Sequence, residues 1–264
     1  MIPYPHLDPV IVSLGPLKVR WYGMMYVIGF VAGYILVNRQ IKRFSCYWLE
    51  PHFENLNTVI IIGLVLGARL GYIFFYNLPF YRQHPLEAFA LWHGGLSFHG
   101  ALIGVICAGF WYCRKYKLGF LRTADLYVVT VPVGLGFGRL GNFINGELFG
   151  RVSDVPWAMV FPAGGPMPRH PSQLYESFLE GVVLFTILWL LKNVHHKRKW
   201  PDGSMLAAFL IGYGLIRCGV EFFREPDVQL GLLAGIISMG QLLSILMIIA
   251  GVTLVVTGRR RGGQ

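Results

Sequence analysis

Long apolar runs separated by basic clusters at every second connection leave this chain few folds to adopt. The runs lie at about 19–37, 56–76, 97–113, 124–141, 172–191, 204–222 and 236–256, and each approaches the length an apolar helix needs to cross a bilayer. Arg39, Lys42 and Arg43 follow the first run; Arg114, Lys115, Lys117 and Arg122 follow the third. Lys192, Lys197, Arg198 and Lys199 follow the fifth, and Arg259, Arg260 and Arg261 follow the last. Positive charge collects in cytoplasmic loops. The alternation therefore predicts an all-α polytopic membrane protein of about seven transmembrane helices, N-terminus outside and C-terminus cytoplasmic. The Gly- and Pro-rich stretch 142–172 is expected to form a small extracytoplasmic cap between spans four and five, with a short strand at 157–161. No low-complexity linker interrupts the chain, so 1–264 is expected to be one integral membrane domain.

Composition excludes the main competitor. A net charge of +10 suggests nucleic acid, but 14 of the 23 Lys and Arg residues sit in those four clusters, and 55% of the chain is hydrophobic with a mean hydropathy of +0.54. That is far from a soluble domain, and no nucleic-acid partner is expected. Cys46, Cys107, Cys113 and Cys218 form no C-x-x-C pair and are expected to pack in the apolar interior. The start Met1-Ile2-Pro3-Tyr4-Pro5 lacks a basic region, so the first span is expected to be retained, preceded by an interfacial segment over residues 1 to 17.

Polar residues inside such runs need a reason. Arg69, Arg139 and Arg217 fall within or at the edge of spans, and each costs about 2.5 to 3.5 kcal/mol at a helix centre unless paired or hydrated. They are expected to face the bundle interior. Tyr213, Arg217 and Glu221 are spaced by four, one stripe of a helix, with Arg224 a turn beyond. Arg139 and Asn142 sit three apart at the end of span four, and Glu147, Gly150 and Arg151 follow among glycines that let a ligand approach. Guanidinium groups and amides suit a phosphate, so the two elements are expected to converge on an anionic head group. His93 and His99 open span three among glycines and are candidate proton acceptors. His170, Ser172 and Glu176 open span five, where Ser172 and Glu176 are read as serving the helix N-terminus. Arg69, His93, His170 and Arg151 are left open between functional and structural roles. Gly63, Gly67 and Gly71, and again Gly100 and Gly104, recur every fourth residue, a spacing for close helix packing.

Four separated motifs then carry a resemblance: Gly138 to Glu147, His93 to Gly100, Arg169 to Glu176, and Arg217 to Arg224, with Arg20 to Gly23 and Ile237 to Gln241 in support. Together they resemble the bacterial prolipoprotein diacylglyceryl transferases over nearly the whole chain. The resemblance implies transfer of the diacylglyceryl group of phosphatidylglycerol to the lipobox cysteine thiol of a preprolipoprotein, forming a thioether and releasing glycerol phosphate. It implies a seven-span enzyme of the bacterial inner membrane whose site opens to the outer leaflet. In that setting His99, favoured over His93, is the expected base, and Arg139 and Arg217 stabilise the departing phosphate. Tyr22, Asn142, Glu147, Gly150, Tyr213, Glu221 and Arg224 are expected to shape the head-group pocket. No metal or organic cofactor is expected. The competing class is a transporter or flippase for an anionic lipid, against which stand the absence of inverted repeats and the placement of every polar motif at one end of the spans.

Overall fold

Backbone polar groups in hydrocarbon must be satisfied within their own segment, and this chain satisfies them as helices. The computed structural model describes residues 2–5, 7–15, 17–90, 94–225, 232–233 and 237–262. Its contacts divide the chain into two compact units, Met1–Arg39 with Ala124–Gln264, and Gln40–Thr123.

In the second unit α2 (Phe53–Tyr76) is followed by the short α3 (Leu78–Gln83) and then α4 (Phe98–Lys115). The glycines predicted to make smooth faces do so against each other. A Cβ at Gly71 would lie 2.7 Å from Gly100 Cα, one at Gly63 would lie 2.7 Å from the Gly104 carbonyl oxygen, and one at Gly104 would collide with the Gly63 carbonyl. Helices surrounded by lipid gain little from hiding apolar area, so close van der Waals contact is what such a seam offers. Arg69 on α2 is buried and takes no carboxylate among the described residues. Its Nε donates to the Ala88 carbonyl at 2.9 Å, while Nη1 donates to Gly94 and Gly95 and Nη2 to Glu87 and Ala90. Five carbonyl dipoles thus stabilise one cation, and the connection between α3 and α4 is tied to α2. Ser97 then caps α4, its Oγ accepting from the Gly100 amide at 3.2 Å.

The first unit opens with an antiparallel hairpin, β1 (Val10–Leu14) with β2 (Leu17–Arg20), pairing Val12 with Val19. It continues into α1 (Trp21–Arg43). Next come α5 (Phe120–Val128), whose first four residues fall in the second unit, and α6 (Val131–Asn145). A continuous helical segment Ser172–Arg198 follows, made of α7 (Ser172–Glu176), a π-helical stretch Ser177–Val183 and α8 (Leu184–Arg198). Then come α9 (Ser204–Val220), the short pair β3 (Leu232–Leu233) and β4 (Ile237–Ser238), and α10 (Met239–Gly262). Val128, Val129, Leu184, Leu188, Met205 and Phe209 form the apolar core that joins the α5 end to α8 and α9. Asp125 caps α9, accepting from the amides of Gly203 at 2.7 Å and Leu206 at 2.9 Å.

Among the described residues four helical segments are long and apolar enough to cross a membrane: Trp21–Arg43, Glu50–Tyr76, Ser172–Arg198 and Met239–Gly258. The α5–α6 pair makes a fifth if it is one span, and α9 is a shorter apolar helix. Val27, Val31 and Ile35 on α1 and Leu246 and Ile249 on α10 point outward, an apolar surface suited to lipid.

Three expectations need correction. Span four is not one straight helix: α5 and α6 meet at 46°, with Pro132 in the first turn of α6, where its missing N–H is harmless and its ring ends the preceding helix. Residues 142 to 145 belong to α6 rather than to the cap, because the glycines after Gly138 do not end the helix; Gly146 does, at φ 68°. The strand expected at 157–161 reduces to an isolated bridge of Met159 with Arg169. Tyr4, Met159 and Phe161 form the small core of this cap, and the Tyr4 hydroxyl donates to the Phe143 carbonyl at 2.7 Å.

Candidate active site

Two elements bring the polar residues of the first unit together. Helix α6 lies against the π-helical stretch at Gly136 and Gly181, where a Cβ on Gly181 would come within 2.7 Å of Gly136 Cα. The Ser177 hydroxyl donates to the Gly136 carbonyl at 3.0 Å across the same contact. π-helical turns are uncommon and concentrate at functional sites. Here the stretch follows Glu176 directly, and Glu176 and Glu180 both face the cations of α6 and α9.

The result is a buried ionic cluster of three arginines and three glutamates. Arg139 Nε lies 2.7 Å from Glu176 Oε2 and 3.8 Å from Glu180 Oε2. Arg217 Nη1 donates to the same Glu176 Oε2 at 2.8 Å, and its Nη2 lies 2.8 Å from Glu221 Oε2. Arg224 Nη1 reaches Glu176 Oε1 at 3.4 Å. Glu221 is held in turn by the Ser238 hydroxyl at 2.9 Å, with Gly240 against its carboxylate. Formal charges cancel, which is what lets so many ions stay out of water. Tyr213, a turn before Arg217, is an electrostatic neighbour of Glu180, Arg217 and Arg139. The predicted stripe of Tyr213, Arg217, Glu221 and Arg224 therefore exists, although α9 ends at Val220 and Arg224 joins from the segment beyond.

Arg139 is the most open of the three, with its side chain 19% exposed against 11% and 10% for Arg217 and Arg224. Its Nε is occupied. Among the described residues neither Nη1 nor Nη2 has a protein partner.

A turn further along α6, Asn142 Nδ2 donates to Glu147 Oε1 at 2.9 Å and Asn145 Nδ2 to the same oxygen at 3.1 Å. Tyr22 on α1 neighbours both Asn142 and Glu147, and its hydroxyl lies 3.0 Å from that of Tyr26. The Gln173 amide donates to the Glu147 carbonyl at 2.7 Å, and the Ser172 hydroxyl donates to the Leu148 carbonyl. Gly150 bridges Arg224 and has no room for a side chain: a Cβ there would meet His170 Cβ at 2.7 Å and collide with the Phe223 carbonyl. Arg151 Nε donates to the Arg224 carbonyl at 2.9 Å, so Arg151 secures the backbone beside the cluster. His170 is fixed by the Tyr175 hydroxyl, 3.1 Å from its Nδ1, which accepts from Trp157 Nε1 at 2.6 Å. Burial pushes the His170 imidazole below the ordinary histidine range.

Of the residues named from sequence, Tyr22, Arg139, Asn142, Glu147, Gly150, Tyr213, Arg217, Glu221 and Arg224 all lie in this unit. His99 stands in the second unit, exposed in the first turn of α4 after the Ser97 cap. His93 lies outside the described residues. The reading of Glu176 as a helix-start residue is overturned: it is fully buried at the centre of the cluster, and the α7 cap, Pro171, makes no side-chain hydrogen bond. Glu180 escaped sequence reasoning altogether. The signal was present, since two carboxylates spaced by four inside an apolar run demand cationic partners as much as the arginines demand anions.

Comparison with known proteins places this geometry. Residues 9–257 match the family model described as prolipoprotein diacylglyceryl transferase. A protein of Desulfotalea psychrophila named phosphatidylglycerol–prolipoprotein diacylglyceryl transferase is 58% identical over 252 residues, covering 95% of this chain and 93% of that one. One of the same name from Geobacter sulfurreducens is 54% identical over 98% of both chains, and one from Vibrio parahaemolyticus is 51% identical over 98% of this chain and 93% of its own. A match across nearly the full length at such identity means that the chain belongs to the prolipoprotein diacylglyceryl transferase family.

Proposed function

We infer that this protein transfers the diacylglyceryl group of phosphatidylglycerol to the lipobox cysteine of a preprolipoprotein. The observation that carries the reading at the level of residues is the open Nη edge of Arg139 beside an otherwise self-neutralised cluster. A phosphodiester is a single anion with two non-bridging oxygens, and a guanidinium edge offers two parallel donors to match. Arg139 takes the phosphate and Arg217 adds its field from behind. As the cysteine sulfur forms its bond to the glyceryl carbon, the bond from that carbon to the phosphate oxygen breaks, and charge grows on the leaving glycerol phosphate. Fixed cations in a site of low dielectric stabilise that charge. Tyr22, Asn142 and Glu147 line the head-group side, Tyr213, Glu221 and Arg224 support the guanidinium groups, and Gly150 keeps the backbone close. His99 is assigned the thiol proton on the strength of its chemistry and its exposure within its own unit.

The proposal extends to the membrane. Counting α9 and α4 as spans beside the longer helices, and α5–α6 as one, makes seven, and the alternating basic clusters support an outer N-terminus, a cytoplasmic C-terminus and a site facing the outer leaflet of the bacterial inner membrane. Purified protein incubated with phosphatidylglycerol and a lipobox peptide is expected to yield a peptide carrying one diacylglyceryl group on cysteine, detected by mass spectrometry. No adduct from demonstrably folded protein would overturn the reading.

A further inference from the structure

We propose that Glu176 is a positioning residue, which sets the spacing and orientation of the Arg139 and Arg217 guanidinium groups for the phosphate. The inference rests on the reading of those arginines given above. Glu176 is fully buried, so it cannot touch a substrate directly. Its Oε2 nonetheless takes two cations from two different helices, Arg139 of α6 at 2.7 Å and Arg217 of α9 at 2.8 Å. Two guanidinium groups sharing one oxygen repel each other, and the carboxylate charge between them is what makes the arrangement stable. The attachment of Arg139 is also directional. Glu176 meets Arg139 on its Nε side, and among the described residues neither Nη1 nor Nη2 makes a hydrogen bond to protein.

Glu180 supplies an internal contrast. It is equally buried, yet it stands 3.8 Å from Arg139 and 3.7 Å from Arg217 and makes no hydrogen bond among the described residues. Glu176 meets both guanidinium groups at hydrogen-bond length, and Glu180 meets neither. Glu221 belongs to Arg217 and is held from the other side by Ser238. Among the described residues Glu176 alone joins the arginines of α6 and α9 through hydrogen-bond-length contacts, and the Ser177 bond to Gly136 holds α6 against the π-helical stretch.

The test compares Glu176→Gln, Glu180→Gln, Arg139→Gln and the Arg139→Gln/Glu176→Gln double variant in the phosphatidylglycerol and lipobox-peptide assay. Glu176→Gln is expected to lower kcat/KM for phosphatidylglycerol by about tenfold or more, with KM for the peptide within about twofold of wild type, and to lose more than Glu180→Gln. In the Arg139→Gln background the same change is expected to cost several-fold less than in wild type, because only its effect through Arg217 remains. Independent, multiplying losses, equal damage to peptide KM, or an unimpaired Glu176→Gln beside an impaired Arg139→Gln would each overturn the proposal. A fully active Arg139→Gln would instead overturn the phosphate reading on which it rests. If Glu176→Gln fails to fold in detergent, Glu176→Asp, which keeps the charge but withdraws the carboxylate by one methylene, is judged by the same criteria.

Discussion

Arg139 and Arg217 carry the same charge but offer a substrate different things. Arg217 spends Nη1 and Nη2 on Glu176 and Glu221, while Arg139 spends only Nε. In the proposed reaction the first serves as a field and the second as a grip. His99 is proposed for a different step, the removal of the thiol proton, and pH separates that step from the others. A cysteine thiol ionises near about 8.5, so a solution at about pH 9 supplies the thiolate without a base. Glu- or Arg-type defects have no such remedy. His99→Gln is therefore expected to lose most of its activity at pH 7 and to regain part of it, relative to wild type, at pH 9; a deficit that is the same at both values would remove His99 as base. His170 has a pH dependence of its own. Burial lowers its pKa, so the unfolded chain takes up the proton first on acidification. Its stabilising contribution is complete above the ordinary histidine value of about 6.5 and is lost as pH falls toward the lower folded value. The melting temperature of His170→Gln is expected to fall less between pH 7.5 and 5.5 than that of wild type, read by thermal unfolding in detergent. Residue-scale reading from sequence worked where a charged group stood alone in an apolar run, as with Arg217 and its partner Glu221 four residues on. It failed at Glu176, whose place near a helix start suggested a local task while its partners lay 37, 41 and 48 residues away in the chain.

At the scale of elements, the helices were legible because each apolar run is long and uniform, although α1, α8 and α10 continue past the predicted ends into the basic clusters. What periodicity does not encode is a change of direction or of pitch. The 46° bend at the α5–α6 junction and the π-helical stretch after Glu176 both depend on tertiary contacts rather than on composition. The hairpin at Val10–Leu14 and Leu17–Arg20 was read as an interfacial segment, since few residues alternate there before the turn. The seam between α2 and α4 was anticipated from glycine spacing and is tight enough to test. Gly104→Ala places a methyl group against the Gly63 carbonyl, and overpacking of this kind costs about 1 to 3 kcal/mol. A lower melting temperature in detergent is expected, whereas Gly138→Ala, which meets nothing within 4 Å, is expected to melt like wild type.

For the molecule as a whole, the basic clusters are the strongest statement about orientation. A cysteine at Asp154 in the cap, in a background lacking the four native cysteines, is expected to react with a membrane-impermeant maleimide on intact spheroplasts. A cysteine at Lys197 is expected to react only after permeabilisation. Reaction of both from outside would overturn the proposed orientation. Hydropathy and charge sufficed to suggest a polytopic membrane protein, and motif order sufficed to suggest the family. The cluster itself was half visible: its cations and Glu221 were named from sequence, whereas Glu176 was given a local role and Glu180 was passed over although the two stand four apart in an apolar run.

The glycine seam of α2 and α4 has one more consequence, for how sequences of this kind can change over time. Most packed interfaces tolerate drift because a gain in bulk on one side can be answered by a loss on the other. At Gly67 and Gly104 the opposing surface is itself backbone and glycine, and nothing smaller exists to give way. A larger residue there has no compensating partner on the facing helix, so it must move the helix or be rejected. The pair of helices that leads to His99 is thereby held to a fixed separation while the apolar faces around it remain free to vary.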